Sequence, residues 1–349
     1  MGRQEVSERF RVTFDPLFLA EPARMAGIKR LEQEPHIEVK YPEPGRRQEF
    51  KPSELADCDA VITVFCQVTE ASLEGVTRLK HVARFGAGFD AVDLDACSRR
   101  GIVVTHAPLG PTESMAEATL GLIIMLSYKI KQKEEVLRGG KFSVPRELIG
   151  TELMGKTVGI MCLGSIGGRL AELLAPFHVR IIAYDPYVSQ ERFAQLRATS
   201  VDLHTLLRES DYLTIHCPLT KETRYILGEA EFRMMKPTAY FLNTSRGGLY
   251  RDATLAKALR EGWIAGAAID VFEDELAVKD NPLIGLKNCI VTPHGVGRSE
   301  GMIAGIWRYT REAVLKSSRG ELPDFILNPE ALPPEKRARA KVSPAFIPR

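Results

Sequence analysis

The chain lacks any apolar run long enough to cross a bilayer. The longest, near Leu120–Leu126, falls far short of the roughly 20 residues a spanning helix needs. It lacks a strong charge of either sign: a net +2 over 349 residues supplies no field that would gather nucleic acid or a lipid surface. It also lacks Cys-x-x-Cys pairs and His–Cys clusters. Its six cysteines (Cys58, Cys66, Cys97, Cys162, Cys217 and Cys289) are scattered. That argues against a zinc site or a disulfide framework and fits reduced thiols in a cytosol. The start, Met1–Phe10, is polar and charged, unlike a secretory signal, and Val6 stands where myristoylation requires Ser or Thr. There is no internal repeat. These absences leave a cytoplasmic globular protein with no membrane, nucleic-acid or metal partner as the expectation.

What is present is a 44% hydrophobic composition, enough for sizeable cores in two domains. Short apolar runs at Arg11–Phe14, Ile37–Lys40, Ala60–Phe65, His81–Phe85 and Gly101–Thr105 alternate with helical stretches, one of them predicted over Ala71–Leu79. Such alternation implies a parallel sheet covered on both faces. Pro108–Pro111 reads as a crossing between domains. A helical region follows over Thr112–Arg138, stopped by Gly139-Gly140. A second series of strands is predicted at Val158–Met161, Val179–Tyr184, Tyr212–Cys217, Ala239–Asn243, Gly266–Val271 and, as the last, Cys289–Thr292. A long helix over Gly301–Ser318 comes next. Past Leu322 the proline-rich, basic composition, with the run Lys336–Lys341, reads as a solvated tail.

The centre of this pattern is Thr157–Asp185. An apolar strand runs into Cys162-Leu163-Gly164-Ser165-Ile166-Gly167, then a helix, then a second strand ending in Asp185, 18 positions beyond Gly167. This is a dinucleotide fingerprint: turn amides and the helix dipole face a pyrophosphate, and the terminal carboxylate accepts from ribose hydroxyls. The same carboxylate repels a 2′-phosphate, so NAD is expected over NADP. Cys162 stands where the first glycine of G-x-G-x-x-G belongs.

Four further loops follow predicted strand ends, where open parallel sheets place their ligands. Arg84-Phe85-Gly86-Ala87-Gly88 could form an amide nest for a carboxylate. His216-Cys217-Pro218-Leu219-Thr220 is the second. Asn243-Thr244-Ser245-Arg246-Gly247-Gly248 carries an arginine suited to a bidentate grip on a carboxylate. Asp270-Val271-Phe272-Glu273-Asp274-Glu275 is the fourth, with Thr292-Pro293-His294-Gly295 after it.

Together with Met115–Thr119, these segments occur in the order that marks the D-isomer-specific 2-hydroxyacid dehydrogenases, the family of phosphoglycerate dehydrogenase and the glyoxylate/hydroxypyruvate reductases. The chain resembles that family strongly over Arg84–His294 and more weakly to Asn328-Pro329-Glu330. The resemblance implies an α/β fold of two Rossmann-like or flavodoxin-like parallel-sheet domains with a cleft between them. The substrate domain would be residues 1–110 with 296–349, and the NAD-binding domain 111–295. It also implies an NAD-dependent enzyme that interconverts a small 2-keto acid and its D-2-hydroxy acid, and a homodimer to which the Thr112–Arg138 region contributes.

By the resemblance Arg246, Glu275 and His294 are catalytic, and Glu275 lies the 29 positions after Arg246 (275 − 246) that the family pattern has. In chemical terms, a protonated His294 would donate to the carbonyl oxygen as hydride arrives, and its neutral ring would take the hydroxyl proton in reverse. Glu275 would orient that ring and favour its charged form, and Arg246 would hold the carboxylate and polarise the carbonyl. The amides of Gly86, Ala87 and Gly88 would bind the carboxylate from the other domain, with Arg84 adding charge at that loop. Cofactor contacts would fall on Gly164, Ser165, Ile166, Gly167 and Asp185, on Cys217, Thr244 and Ser245 beside the nicotinamide half, on Asp270 at the carboxamide and on Gly297 near His294. No metal is required. Departures from the family pattern are Cys162, Pro111, Tyr250-Arg251 after the glycines, and Leu276 where a proline is usual. Two other readings share the scaffold: an NADH-sensing, corepressor-like interaction protein, and a methyltransferase using the glycine turn for S-adenosylmethionine.

Overall fold

The computed structural model describes residues 8–275 and 277–343; Leu276 and Val6, two positions singled out in the sequence, lie outside them. The chain divides into two compact units, Met1–Pro111 with Ser299–Arg349, and Thr112–Arg298.

In the first unit, β1 (Phe10–Phe14), β2 (Ile37–Lys40), β3 (Ala60–Thr63), β4 (His81–Arg84) and β5 (Val103–His106) form a parallel sheet in the order β2-β1-β3-β4-β5. Alternation along the strands decides which face each side chain covers. Val12, Phe14, Ala60, Ile62 and Ala83 pack with Ile28, Leu31, Trp307 and Val314 on one face, and Val61, Val82 and Val104 pack with Leu55 and Leu73 on the other. Burial on both faces explains why these strands read as short continuous apolar runs.

Two outcomes differ from the sequence reading here. The helix expected over Ala71–Leu79 is a single 3-10 turn, Ala71–Leu73, because Gly75 takes φ +70 and turns the chain. The expected solvated tail is built into the sheet instead. Asp324–Ile326 lies antiparallel to β5, with Ile326 opposite Thr105, and Lys341–Val342 pairs outside it. The basic run is held there by Lys341 Nζ on Asp324 at 3.2 Å and by Arg337 donating to the Leu332 and Glu330 carbonyls.

The second unit carries β6 (Thr157–Met161), β7 (Arg180–Tyr184), β8 (Thr199–Ser200), β9 (Tyr212–Ile215), β10 (Tyr240–Asn243), β11 (Gly266–Ile269) and β12 (Cys289–Val291). They form one parallel sheet in the order β8-β7-β6-β9-β10-β11-β12. Strand order reverses between β6 and β9, which opens a crevice at their carboxyl ends. The helical region before this sheet is two helices, Thr112–Ser127 and Ile130–Arg138, parted by Lys129 at φ +51. Among the described residues no helix is long and apolar enough to cross a membrane.

Candidate functional site

The fingerprint turn leaves β6 at the crevice. Cys162 adopts φ +70, a left-handed conformation that glycine takes freely and cysteine does not. Its amide donates to the Tyr184 carbonyl, and the next amide, Leu163 N, donates to Asp185 Oδ2 at 2.8 Å. Asp185 therefore stands beside the turn it was expected to serve. The Ser165–Leu174 helix begins directly after Gly164. Gly164 is exposed, with no atom within 4 Å of where a side chain would start, so a ligand can approach the backbone there. Gly167 is required for a different reason: a β-carbon would strike the Cys162 carbonyl oxygen.

One expectation fails at this turn. Cys162 is not a thiol; it is joined to Cys217 by a disulfide, with Cα atoms 5.3 Å apart. The two are 55 residues apart in sequence and meet because β6 and β9 are neighbours. Among the described residues the other four cysteines are free and buried.

The β10 loop is organised by Asn243, which is fully buried. Its Oδ1 accepts from Ser245 N and Oγ at 2.9 and 2.8 Å, and its Nδ2 donates to the Arg246 carbonyl at 2.8 Å. Thr244 is buried and shares a hydrogen bond with Thr119, 3.2 Å away. Arg246 Nη1 donates to the Ser245 carbonyl at 2.7 Å. Gly247 passes so close to Phe272 that a β-carbon would overlap its carbonyl, and this contact sets the β10 loop against the β11 loop.

Asp270, 2% exposed, holds the segment that carries His294. Its Oδ1 accepts from Thr292 Oγ1 at 2.6 Å, Gly295 N at 2.9 Å and Val296 N at 3.1 Å, while its carbonyl accepts from His294 N at 2.8 Å. His294 itself sits at φ +48, a strained position that these bonds enforce. Its Nδ1 meets Glu275 Oε1 and Oε2 at 2.8 and 2.9 Å. An ionised carboxylate only accepts, so Nδ1 carries a proton and Nε2 is the nitrogen turned away from Glu275. The ring and the carboxylate are each a little over one-third exposed, open to solvent and to a small reactant. Gly297 packs on Met115, where a side chain would overlap the Met115 sulfur.

The loop bearing Glu275 has a brace that the sequence did not reveal. Buried Asp252 accepts from Glu273 N at 3.1 Å and Asn281 Nδ2 at 2.6 Å, and its own amide donates to Glu273 Oε2 at 2.6 Å. Burial pushes the Asp252 carboxyl above its ordinary pKa. Asn243, Thr292, Asp252 and Asn281 all act on the site through other residues. Polar residues at the ends of elements and in loops give no periodic signal, although Asn243 and Thr292 lie inside the quoted motifs. Arg251 lies over the Tyr225 ring at 4.1 Å with its side chain largely exposed.

In the first unit, Gly86 takes φ +129 and its carbonyl accepts from Ala107 N, while buried His106 bonds the Ala87 carbonyl through Nδ1 at 2.7 Å. Arg84 donates to the Phe85 carbonyl. The structure thus brings Gly164–Gly167, Asp185 and Cys217 together at one crevice, and Arg246, Asp270, Glu275 and His294 on the adjoining loops of the same unit. Gly86, Ala87 and Gly88 form a turn of the other unit.

Against known proteins, residues 120–295 match the family described as D-isomer specific 2-hydroxyacid dehydrogenase, NAD binding domain. The chain is 32% identical over 320 residues to the glyoxylate reductase of Korarchaeum cryptofilum, covering 90% of this chain and 96% of that one. Among solved structures, the D-lactate dehydrogenase of Aquifex aeolicus complexed with NAD and lactic acid matches with a TM-score of 0.80 at 28% identity, over 89% of this chain and 96% of that one. An acyclic imino acid reductase in complex with NADPH and D-Arg matches with the same TM-score, 0.80, at 25% identity, over 91% of this chain and 99% of that one.

Proposed function

Because the chain belongs to the D-isomer specific 2-hydroxyacid dehydrogenase family, and is accordingly an oxidoreductase acting on CH–OH groups, we propose that it reduces a small 2-keto acid to the D-2-hydroxy acid with NADH, and runs the reverse with NAD. The observation that carries this reading is the Glu275–His294 pair, 2.8 Å apart at the strand ends of a unit that also holds the fingerprint turn and Asp185.

The residues present fit a dinucleotide: an open glycine at the head of a helix, and a carboxylate against the turn. When bound, the nicotinamide supplies or accepts the hydride. Gly164, Ser165, Ile166 and Gly167 then line the pyrophosphate, and Asp185 accepts from the ribose and disfavours a 2′-phosphate. Thr244, Ser245, Cys217, Asp270 and Gly297 border the nicotinamide half. Glu275 fixes the His294 ring, so that Nε2–H delivers a proton to the carbonyl oxygen as negative charge develops there. In the oxidative direction the neutral ring takes that proton back. Arg246 holds the substrate carboxylate and stabilises charge on the carbonyl oxygen. In the first unit the Gly86-Ala87-Gly88 turn offers amides to a carboxylate. A protein that only senses NADH would have no use for a carboxylate-braced histidine, so the pair favours an enzyme over a corepressor-like sensor.

The homodimer is proposed on a stretch of exposed apolar residues, Leu137, Phe142, Val144, Ile149 and Met154, with Phe142 97% exposed. A patch of this kind is what a second copy covers. Sedimentation should give twice the chain mass.

The test is initial rates with NADH and NADPH against glyoxylate, hydroxypyruvate, pyruvate and branched 2-keto acids. Turnover with one acid and NADH is expected, and His294→Ala should lower kcat by about 10²–10⁴-fold while NADH still binds. Turnover by that variant at the wild-type rate would remove His294 from the mechanism.

A further inference from the structure

The disulfide joins the ends of the two strands that flank the crevice. Cys162 is the first residue of the fingerprint turn at the end of β6, and Cys217 follows the end of β9. These are the two strands between which the sheet order reverses, and the dinucleotide crevice of such sheets opens at that point. The covalent link therefore joins the two strand ends that border this crevice, with Cys217 in the buried core of the unit and Cys162 packed against it. The position matters because the first residue of the turn is ordinarily a glycine, whose lack of a side chain lets the backbone turn tightly beneath the pyrophosphate. Here a side chain is present, held at φ +70, and tethered to the neighbouring strand.

We propose that Cys162 and Cys217 are a reversible redox pair that controls the cofactor site: the dithiol form binds the dinucleotide, and the disulfide form binds it weakly. Closing the bridge ties the Cys162 side chain to the neighbouring strand and prevents the turn from adjusting to a pyrophosphate. Opening it frees both side chains to turn away. A Cα separation of 5.3 Å lies within the range a disulfide spans, so the bridge can form and break with little backbone movement.

The two sulfurs have distinct places in the chemistry. Cys162 is half-buried, just before the amino end of the Ser165–Leu174 helix, and is the sulfur an oxidant reaches first. Cys217 is 2% exposed and meets an oxidant second. With hydrogen peroxide as the oxidant, the Cys162 thiolate attacks one peroxide oxygen and breaks the O–O bond, giving a sulfenic acid and, after proton uptake, one water. The Cys217 thiol then attacks the Cys162 sulfur, forms the S–S bond and expels the second water. Two thiols lose two electrons and two protons, and one peroxide becomes two waters. A small dithiol reverses the change by two thiol–disulfide exchanges. The remaining cysteines are poorly suited to compete. Burial pushes the Cys58 thiol up to about 11 and those of Cys66, Cys97 and Cys289 up to about 12.

This inference rests on the dinucleotide reading, and one experiment separates the two. The full chain is reduced with dithiothreitol or oxidised with hydrogen peroxide, the Cys162–Cys217 link is followed by mass spectrometry of unreduced digests, and NADH and NADPH binding is titrated by fluorescence. Oxidised protein should bind NADH at least about tenfold more weakly, dithiothreitol should restore the affinity, and Cys162→Gly should show the same affinity under both treatments. In a dithiothreitol redox buffer, bound NADH should lower the bridged fraction of the wild-type protein, since coupling between two equilibria is reciprocal. That measurement needs no variant. Equal affinity with the bridge formed, or no bridge under peroxide, would overturn the switch and leave the cofactor assignment standing. Failure of the reduced protein to bind either dinucleotide would overturn the cofactor assignment and the switch together.

Discussion

The two units begin their sheets alike and finish their first strands oppositely. In the first unit β1 is followed directly by Asp15, which is 1% exposed. Its Oδ2 accepts from the amides of Val64, Phe65 and Cys66 at 3.2, 2.9 and 2.9 Å, and its Oδ1 accepts from Leu17 N at 3.0 Å. The amides at that strand end are satisfied by an anion the chain supplies itself. In the second unit β6 ends in the fingerprint turn, and the Ser165–Leu174 helix starts beside an exposed glycine. Backbone amides crowd the carboxyl ends of both sheets, and the difference is where their partner comes from. A built-in carboxylate takes four amides at the first strand end, whereas at the second Asp185 takes only Leu163 N of the turn, and Gly164 stays open to an anion brought from outside. In two similar α/β layouts, the residue at the end of the first strand therefore decides whether that strand end is closed from within or left open.

The largest effect expected from this contrast comes from removing the internal anion. Asp15→Ala would leave four amides without their acceptor and should cost about 3–5 kcal/mol of stability, read by urea unfolding. A loss below about 1 kcal/mol would show that water replaces the carboxylate, and the contrast between the units would weaken.

Acid should act on the first unit next most strongly. Its His81 and His106 are buried, and burial lowers them to about 3 and about 4 from an ordinary 6.5; the second unit has His216 alone in that state, at about 4. Below pH 6.5 the unfolded rings bind protons that the folded ones refuse, so stability falls as the pH drops from 6.5 and the fall is complete only below about 3. Each unit holds one tryptophan, Trp307 in the first and Trp263 in the second. Single-tryptophan variants should therefore show the first unit melting earlier at pH 5 than at pH 7, with a smaller change in the second.

The smallest effect on stability should come from the open strand end. Asp185→Ala is expected to raise the KM for NADH about tenfold, worth about 1.4 kcal/mol of binding, and to narrow the preference for NADH over NADPH, with about 1 kcal/mol of stability lost along with the bond from Leu163 N. An unchanged cofactor preference would take that role away from Asp185.

Local signals were legible in the sequence and distant partners were not. The strands of both sheets could be read because burial on two faces leaves continuous apolar runs, and the fingerprint could be read because its glycines and Asp185 lie within one strand–helix–strand unit. Asp15 has no signal in the sequence, because its partner amides are 49 to 51 residues away. The Cys162–Cys217 bridge was invisible for the same reason, since only the order of strands brings the two together. The break at Lys129 carries no glycine or proline to announce it. The strands Asp324–Ile326 and Lys341–Val342 are too short, and too embedded in prolines and basic residues, to give a period. At the candidate site the charged groups stood out by type and order, while Asn243, Asp252 and Asn281 had only their hydrogen bonds to mark them, and those exist only in the fold.

The two strands that complete the first sheet have a consequence for synthesis. Translation proceeds from the amino end, so every strand of the second sheet has been made by Val291, while the first sheet still lacks Asp324–Ile326 and Lys341–Val342. Of the described strands, those of the first sheet are both the earliest and the latest to be made. Until then β5 presents an unpaired edge, with the amides and carbonyls that Ile326 and Leu327 later engage at Thr105 and Val104.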